Sequence, residues 1–182
     1  MTRMAPRKQQ EIFDATLRLV AEKGYDGLTV EGVAECSGVN KTTIYRWWPS
    51  KAALLGAALI EADVLGFDPP DTGSLRGDLV SLVEAVTRLL TERPSGDIAV
   101  AALAAAVRHP ELDAHRFFAD RFAREREIFE RAVRRGELKE SADPMLIVDM
   151  LAGAVWMRAV FRGLRVTDDF ADAAVAALLD GI

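Results

Sequence analysis

The chain has 182 residues, of which 50% are hydrophobic and 28% charged, and a formal net charge of -5. That length carries a sizeable core in one large or two small domains, and the hydrophobic share excludes disorder as a global state. The single cysteine, Cys36, excludes an intrachain disulfide and fits a reducing cytoplasm; the polar run Met1–Gln10 lacks the apolar stretch of a secretory signal.

The first helix is predicted over Pro6–Lys23, with Ile12, Phe13, Leu17, Val20 and Ala21 on one apolar face and Gly24 as its cap. Thr29 suits the N-cap of a second helix, whose Val30, Val33 and Ala34 face inward. Ser37-Gly38 breaks that helix, and Gly38 suits the tight turn of a helix–turn–helix. Asn40 caps a third helix, with Lys41, Thr42 and Thr43 in its first turn and Ile44 and Trp48 as inward anchors. Pro49-Ser50 ends it, and Ser50 caps a fourth helix from Lys51 to about Leu65. Cys36, beside Ser37, reads as a small packing residue.

A recognition helix reads base edges mainly with its N-terminal residues. Lys41 can donate to guanine or phosphate, and Thr42 and Thr43 can hydrogen-bond a base or touch a thymine methyl. The Tyr45 hydroxyl suits a phosphate, and Lys51 with the free N–H groups of the fourth helix suits an anion. Arg3, Arg7 and Lys8 supply a basic arm that positions without reading sequence. The acidic total does not exclude nucleic acid. Residues 1–51 hold eight Lys/Arg against six Asp/Glu, while the rest hold fifteen against twenty-two, and affinity depends on the phosphates neutralised locally. On spacing alone, a capped helix–turn–helix is equally a packing unit with a solvated first turn.

The remainder reads as helical throughout. After the breaker-rich stretch 66–73 comes a helix from Ser74 to Thr91, with Leu75, Leu79, Leu82, Val86 and Leu89/Leu90 inward. An Ala-rich helix over Asp97–Arg108 follows, ended by His109-Pro110. A long helix spans Glu111–Arg135, with Phe118, Phe122, Phe129 and Val133 along one side and the pairs Glu127–Arg131 and Glu130–Arg134 on its wet side. Asp143-Pro144 starts the next, an N-cap followed by proline, which runs to about Arg162. The last helix begins at Thr167 or Asp168 and reaches Leu179. The stretch Met145–Phe161 is apolar all round. Its competing readings are a membrane span, interrupted by Asp149, Arg158 and Arg162; a buried core helix; and a helix shared between its own core and a second subunit. The third explains it best. With the stripe Phe170, Ala173, Ala174, Ala177 and Leu178, two helices per subunit make a four-helix homodimer interface.

The stretch Gly24-Tyr25-Asp26-Gly27-Leu28-Thr29, then Val33-Ala34, then Gly38 through Lys51 (GVNKTTIYRWWPSK) resembles the N-terminal domain of TetR/AcrR-family transcriptional regulators. The resemblance implies an all-α fold of about nine helices. A three-helix helix–turn–helix DNA-binding domain (1–52) precedes a larger helical ligand-binding and dimerisation domain (53–182). It also implies double-stranded operator DNA and a small molecule as partners, with Thr29, Tyr45 and Lys51 on phosphates and Lys41, Thr42 and Thr43 facing bases. The full DNA-binding set is Thr29, Asn40, Lys41, Thr42, Thr43, Tyr45, Arg46, Trp47 and Lys51. Asn40 stands where the family often has Ser, Thr42 where Ala or Gly is usual, and Trp47 where His, Tyr or Arg is common. Tryptophan carries no charge and donates one hydrogen bond, so packing against sugar competes with a phosphate contact. More weakly, Asp71–Leu79, Arg134–Leu138 and Leu151–Arg158 resemble one C-terminal subgroup, with Ala154 where proline is common.

Candidate ligand residues in the body are Phe118, Phe122, Met150, Trp156 and Met157 as apolar wall and Arg158 as polar contact; ordinary core is the competing reading. Arg158 in an apolar helix needs a partner, with Asp149, Glu84 or an interface carboxylate as candidates. His109 and His115 are too isolated for a metal site, and no cofactor motif, nucleophile elbow or phosphate loop is present. The reading is therefore a non-enzymatic, cytoplasmic, ligand-responsive repressor with no membrane partner. The alternative is a helical protein-interaction or DNA-organising module without a ligand response.

Overall fold

The computed structural model describes residues 8–61, 68–112 and 114–181, and the side chains of these except for 114–122. Among them every regular element is helical: α1 (Gln9–Gly27), α2 (Val30–Ser37), α3 (Lys41–Trp47), α4 (Lys51–Glu61), α5 (Leu75–Thr91), α6 (Ser95–Arg108), a 3-10 turn (Pro110–Leu112), α7 (Ala114–Arg134), α8 (Pro144–Val155) continuing as a π-helical turn (Trp156–Phe161), and α9 (Phe170–Leu179). The all-α expectation and its count of nine hold among the described residues. They pack as two units, Met1–Gly66 with Arg93–Phe118, and Phe67–Glu92 with Ala119–Ile182.

In the first unit α1 is the central helix. Its sequence shows one apolar face, yet Ile12, Phe13, Ala15, Thr16, Leu17, Leu19 and Val20 are all buried, because α2, α4 and α6 all pack on it. Thr16 is tolerated there because its hydroxyl donates to the Ile12 carbonyl at 2.7 Å. Phe13 meets Trp48 with ring centroids 5.3 Å apart, which fixes the end of α3 against α1. Gly24 has φ 66°, the positive value its cap position requires. Cys36, read as a packing residue, is instead exposed: Val30 and Val33 fill the buried positions of this eight-residue helix.

The second unit is organised around one buried carboxylate. Asp78 is fully buried in α5. Its Oδ1 accepts from the Thr72 backbone N–H at 2.7 Å and the Thr72 hydroxyl at 2.8 Å, and its Oδ2 lies 3.4 Å from Arg135 Nη2 and 3.9 Å from Arg131 Nη2. Arg131 also reaches Asp71 at 3.5 Å and donates to the Pro70 carbonyl. Glu137 closes the cluster, accepting from the Leu75 N–H at 2.6 Å and pairing with Arg135 at 3.1 Å. Those two partners, Arg135 first, hold the Glu137 carboxyl below its usual range. Gly77 belongs to the same construction: a Cβ there would run into the Thr72 hydroxyl, which is held by Asp78. The cluster accounts physically for the spacing of the DTGSLRGDL and RRGEL segments, 62 residues apart at the Leu75–Glu137 bond.

Two expected ion pairings of α7 are corrected here, and one helix departs from regular geometry. Arg131 is not on the wet side of α7; Glu127 does pair with it, at 3.2 Å, but buried Asp78 requires a cation and draws its guanidinium inward. Glu130 pairs with Arg126 at 2.9 Å, one turn back, rather than with Arg134. The apolar helix after Pro144 is not regular to its end. Its last turn widens to π geometry, with the Arg162 N–H on the Met157 carbonyl at 2.9 Å, and Gly163 follows at φ 59°.

Only Leu151 and Val155 are buried in α8 and its π turn. Leu146, Met150, Met157 and Phe161 are 53–68% exposed. In α9 the buried residues are Ala171 and Val175, while Ala173 and Ala177 are exposed. Both helices thus turn an apolar face away from their own unit.

Candidate nucleic-acid interface

Five local features build the reading head. Thr29 Oγ1 accepts from the Gly32 N–H at 3.1 Å and starts α2. Gly38 takes the left-handed conformation, φ 64° and ψ 24°, and turns the chain. Asn40 Oδ1 accepts from the Thr42 N–H at 2.9 Å and starts α3. Ile44 and Trp48 are buried and set the rotation of α3 about its axis. Ser50 Oγ accepts from the Ala53 N–H at 3.1 Å and starts α4.

With Ile44 and Trp48 inward, the opposite side of α3 faces solvent. Lys41, Thr42, Tyr45 and Arg46 are exposed, and Thr43 and Trp47 are partly covered. The structure therefore places Lys41, Thr42, Thr43, Tyr45 and Arg46 on one short helix. Thr29 and Asn40 are exposed at the starts of α2 and α3. Lys41 Nζ lies 3.6 Å from Glu31 of α2, a pair more than half exposed on both sides. Such a pair is worth little and yields readily to a stronger partner. Of the basic arm only Lys8 falls within the described residues, at the start of α1; Arg3 and Arg7 lie outside them.

Lys51 is held differently from expectation. Its Nζ donates to the Tyr25 carbonyl at 2.8 Å and sits 4.2 Å from the centroid of the Tyr25 ring. An ammonium has three hydrogens, so two remain for an anion at this end of α4. Tyr25 in turn stacks on His109, with centroids 4.4 Å apart, and its hydroxyl donates to Glu111 at 3.4 Å. His109 has Asp26 3.2 Å from Nε2 and Glu111 3.3 Å from Nδ1. In the sequence His109 read as the end of α6 and as too isolated for a metal site. Of its partners Glu111 is two positions on, whereas Asp26 is 83 positions away, beyond any local pattern.

Burial, and after it the Glu111 carboxylate, pushes the Tyr25 phenol up to about 12. A value above the unfolded one of about 10 means that the folded chain holds this proton more tightly. The resulting stability is fully present below about pH 10 and is lost as pH rises towards 12. A phenolate absorbance titration is expected to show one of the two tyrosines ionising near pH 12 while circular dichroism still reports a folded chain. Tyr25→Phe should remove that step, and a wild type in which both tyrosines ionise near the unfolded value of about 10 would count against the burial of Tyr25 and its contact with Glu111.

Four of the six ligand candidates have described side chains. Phe118 and Phe122 have side chains outside the described residues. Met150 and Met157 stand on the outer face of α8 and its π turn, because Leu151 and Val155 take the inward positions. Trp156 is partly covered. Arg158 has neither Asp149 nor Glu84 as partner. Its Nε donates to the Arg165 carbonyl at 3.2 Å, and its guanidinium lies 5.2 Å from the Phe170 ring centroid, tying the π turn to α9.

Residues 12–58 match the model of bacterial regulatory proteins of the tetR family, and residues 69–178 match that of the tetracyclin repressor-like C-terminal domain. The chain belongs to the TetR family of DNA-binding transcriptional regulators. An uncharacterized HTH-type transcriptional regulator of Mycobacterium tuberculosis is 38% identical over 178 residues, covering 96% of this chain and 85% of that protein. The HTH-type transcriptional regulator AqdR of Rhodococcus erythropolis is 30% identical over 177 residues, with the same two coverages, 96% and 85%. Among solved structures, the TetR family transcription regulator SCO0332 is 37% identical, with a TM-score of 0.75 and coverage of 97% of this chain and 99% of that one. In this TetR-family chain the N-terminal match runs from within α1 to within α4, the segment that carries every candidate base contact.

Proposed function

We propose that this regulator is a homodimeric repressor of the cytoplasm, that α3 reads a pseudo-palindromic operator, and that a small molecule releases it. The observation that carries the reading is the first turn of α3: a capped helix whose Ile44 and Trp48 are anchored and whose Lys41, Thr42 and Tyr45 are left to solvent. A relative named the DNA-binding transcriptional repressor TetR, from Mycobacteroides abscessus, is 37% identical over 78 residues, which favours repression. Base contacts are assigned to Lys41, Thr42 and Thr43; backbone and sugar contacts to Thr29, Asn40, Tyr45, Arg46, Trp47 and Lys51. The role is binding rather than turnover.

The dimer is proposed to form through α8, its π turn and α9. Pro144–Phe161 is long and apolar enough to cross a membrane by length and composition, and only 11% of it is buried. A second copy accounts for it better than lipid. Asp149 and Arg158 would sit in hydrocarbon, whereas the small exposed Ala173 and Ala177 of α9 suit close approach of another helix. Two recognition helices about 34–36 Å apart would then meet successive major grooves. Met150 and Met157 are assigned to this face; the proposed ligand contacts are Phe118, Phe122, Trp156 and Arg158. Functional division at residue 52 falls inside the first packing unit, so ligand-dependent change in α6 has a direct route to α1. Coupling of about 1–3 kcal/mol would suffice for release, provided the ligand binds the two states unequally.

Thr43→Ala is expected to weaken operator binding by about 1–3 kcal/mol with the dimer intact. Site selection from random duplex DNA supplies the operator, and a titration with the variant checks the figure. Unchanged affinity would remove Thr43 from the base-reading set, and failure to enrich any palindrome would overturn the operator reading.

A further inference from the structure

Among the polar side chains that open α3, one is already committed. Asn40 Oδ1 accepts twice from the same residue, from the Thr42 N–H at 2.9 Å and from the Thr42 hydroxyl at 2.8 Å. A threonine hydroxyl has a single hydrogen, and the cap uses it. The cap holds the oxygen, which leaves the methyl as the uncommitted group of an exposed side chain. Thr42 therefore has no hydrogen to give to a base. Lys41, its neighbour, is the opposite case, a donor held only by an exposed ion pair with Glu31.

We infer that Thr42 is a specificity-determining residue that reads thymine through its γ-methyl group and selects against guanine. The inference rests on the operator reading above. In the major groove guanine presents only the acceptors N7 and O6, so the Thr42 oxygen would meet lone pairs with lone pairs. Thymine presents its C5 methyl, an apolar partner for an apolar group. Burying one methyl-sized group corresponds to a preference of about fourfold. Each half-site should thus contain a guanine-preferring position under Lys41 and a thymine-preferring position under Thr42.

The test is parallel site selection from random duplex DNA with the full-length chain and two variants, each confirmed folded and dimeric. Thr42→Ser keeps the hydroxyl and its bond to Asn40 and removes the methyl. Thr42→Val keeps the methyl and removes the hydroxyl. The wild type should enrich a palindrome with thymine favoured about fourfold at one position per half-site. Valine should preserve that preference, and serine should lose it at that position alone. Thymine preference retained by serine, or lost by valine, overturns the inference. A palindrome unaltered in both variants leaves the operator reading standing and removes Thr42 from it. No palindrome in the wild type overturns the operator reading and this inference together.

Discussion

Asp78→Ala is expected to destabilise the second unit by about 3 kcal/mol, the low end for removing one partner of a buried charge cluster. Two losses combine. The Thr72 N–H and hydroxyl lose their acceptor, and Arg131 and Arg135 lose the carboxylate they converge on. The low end applies because Arg131 and Arg135 keep some contact with water, at 12% and 26% side-chain exposure. Asp71 and Glu137 also remain as partners for them. Urea denaturation followed by circular dichroism checks the figure, and Asp78→Asn, which keeps an acceptor for Thr72, should cost less. An unchanged midpoint in the alanine variant would show that the cluster does not hold the 70–74 segment to α5 and α7.

Met150→Glu is expected to dissociate the dimer while leaving the protomer folded. Met150 is 53% exposed within its own chain, so the substitution disturbs little of the unit's core. At a two-fold interface the change occurs twice, and each carboxylate would be stripped of water without a partner. A penalty of about 3 kcal/mol or more weakens association roughly a hundredfold. Sedimentation velocity reads the oligomeric state directly, and operator affinity should fall with it, since a palindrome needs two heads. A variant that stays dimeric would move the interface away from α8. Met157→Glu, on the same face, should behave alike.

What could be read in the chain beforehand has a common physical character. Thr29, Asn40, Ser50, Ser74 and Asp143 were each legible as helix starts, and each accepts a hydrogen bond from a backbone N–H two or three residues on. Gly24 and Gly38 were legible as helix ends and have positive φ. These signals are local, so a single sequence displays them. The Asp78 cluster was visible only as two familiar-looking segments, because its partners lie 57 residues apart in Asp78–Arg135. Arg131 was misplaced for the same reason: i,i+4 spacing finds Glu127 but says nothing of a carboxylate on another helix. Asn40 was recognised as a cap; its second bond to the Thr42 hydroxyl was not, since it depends on a rotamer. The α8 stretch was read as shared with a second subunit and Met150 and Met157 as pocket wall; both methionines lie exposed on its outward face. An all-round apolar pattern does not say which side the core takes.

The first unit is built from two separate stretches of chain. α5 leaves for the other unit, and α6 comes back to lie along α1. The DNA-reading portion is therefore not a detachable cassette. A chimaera that carries only residues 1–52 onto a foreign body strips α1 of the helix packed along it, in which Ile98, Ala99 and Ala105 are buried, and takes Tyr25 away from His109. Transplanting this specificity requires the matching surface of α6 and the turn after it. Natural divergence faces the same constraint, because a new recognition surface can be tried freely on α3 whereas α1 must change in step with a helix that begins 68 residues after α1 ends.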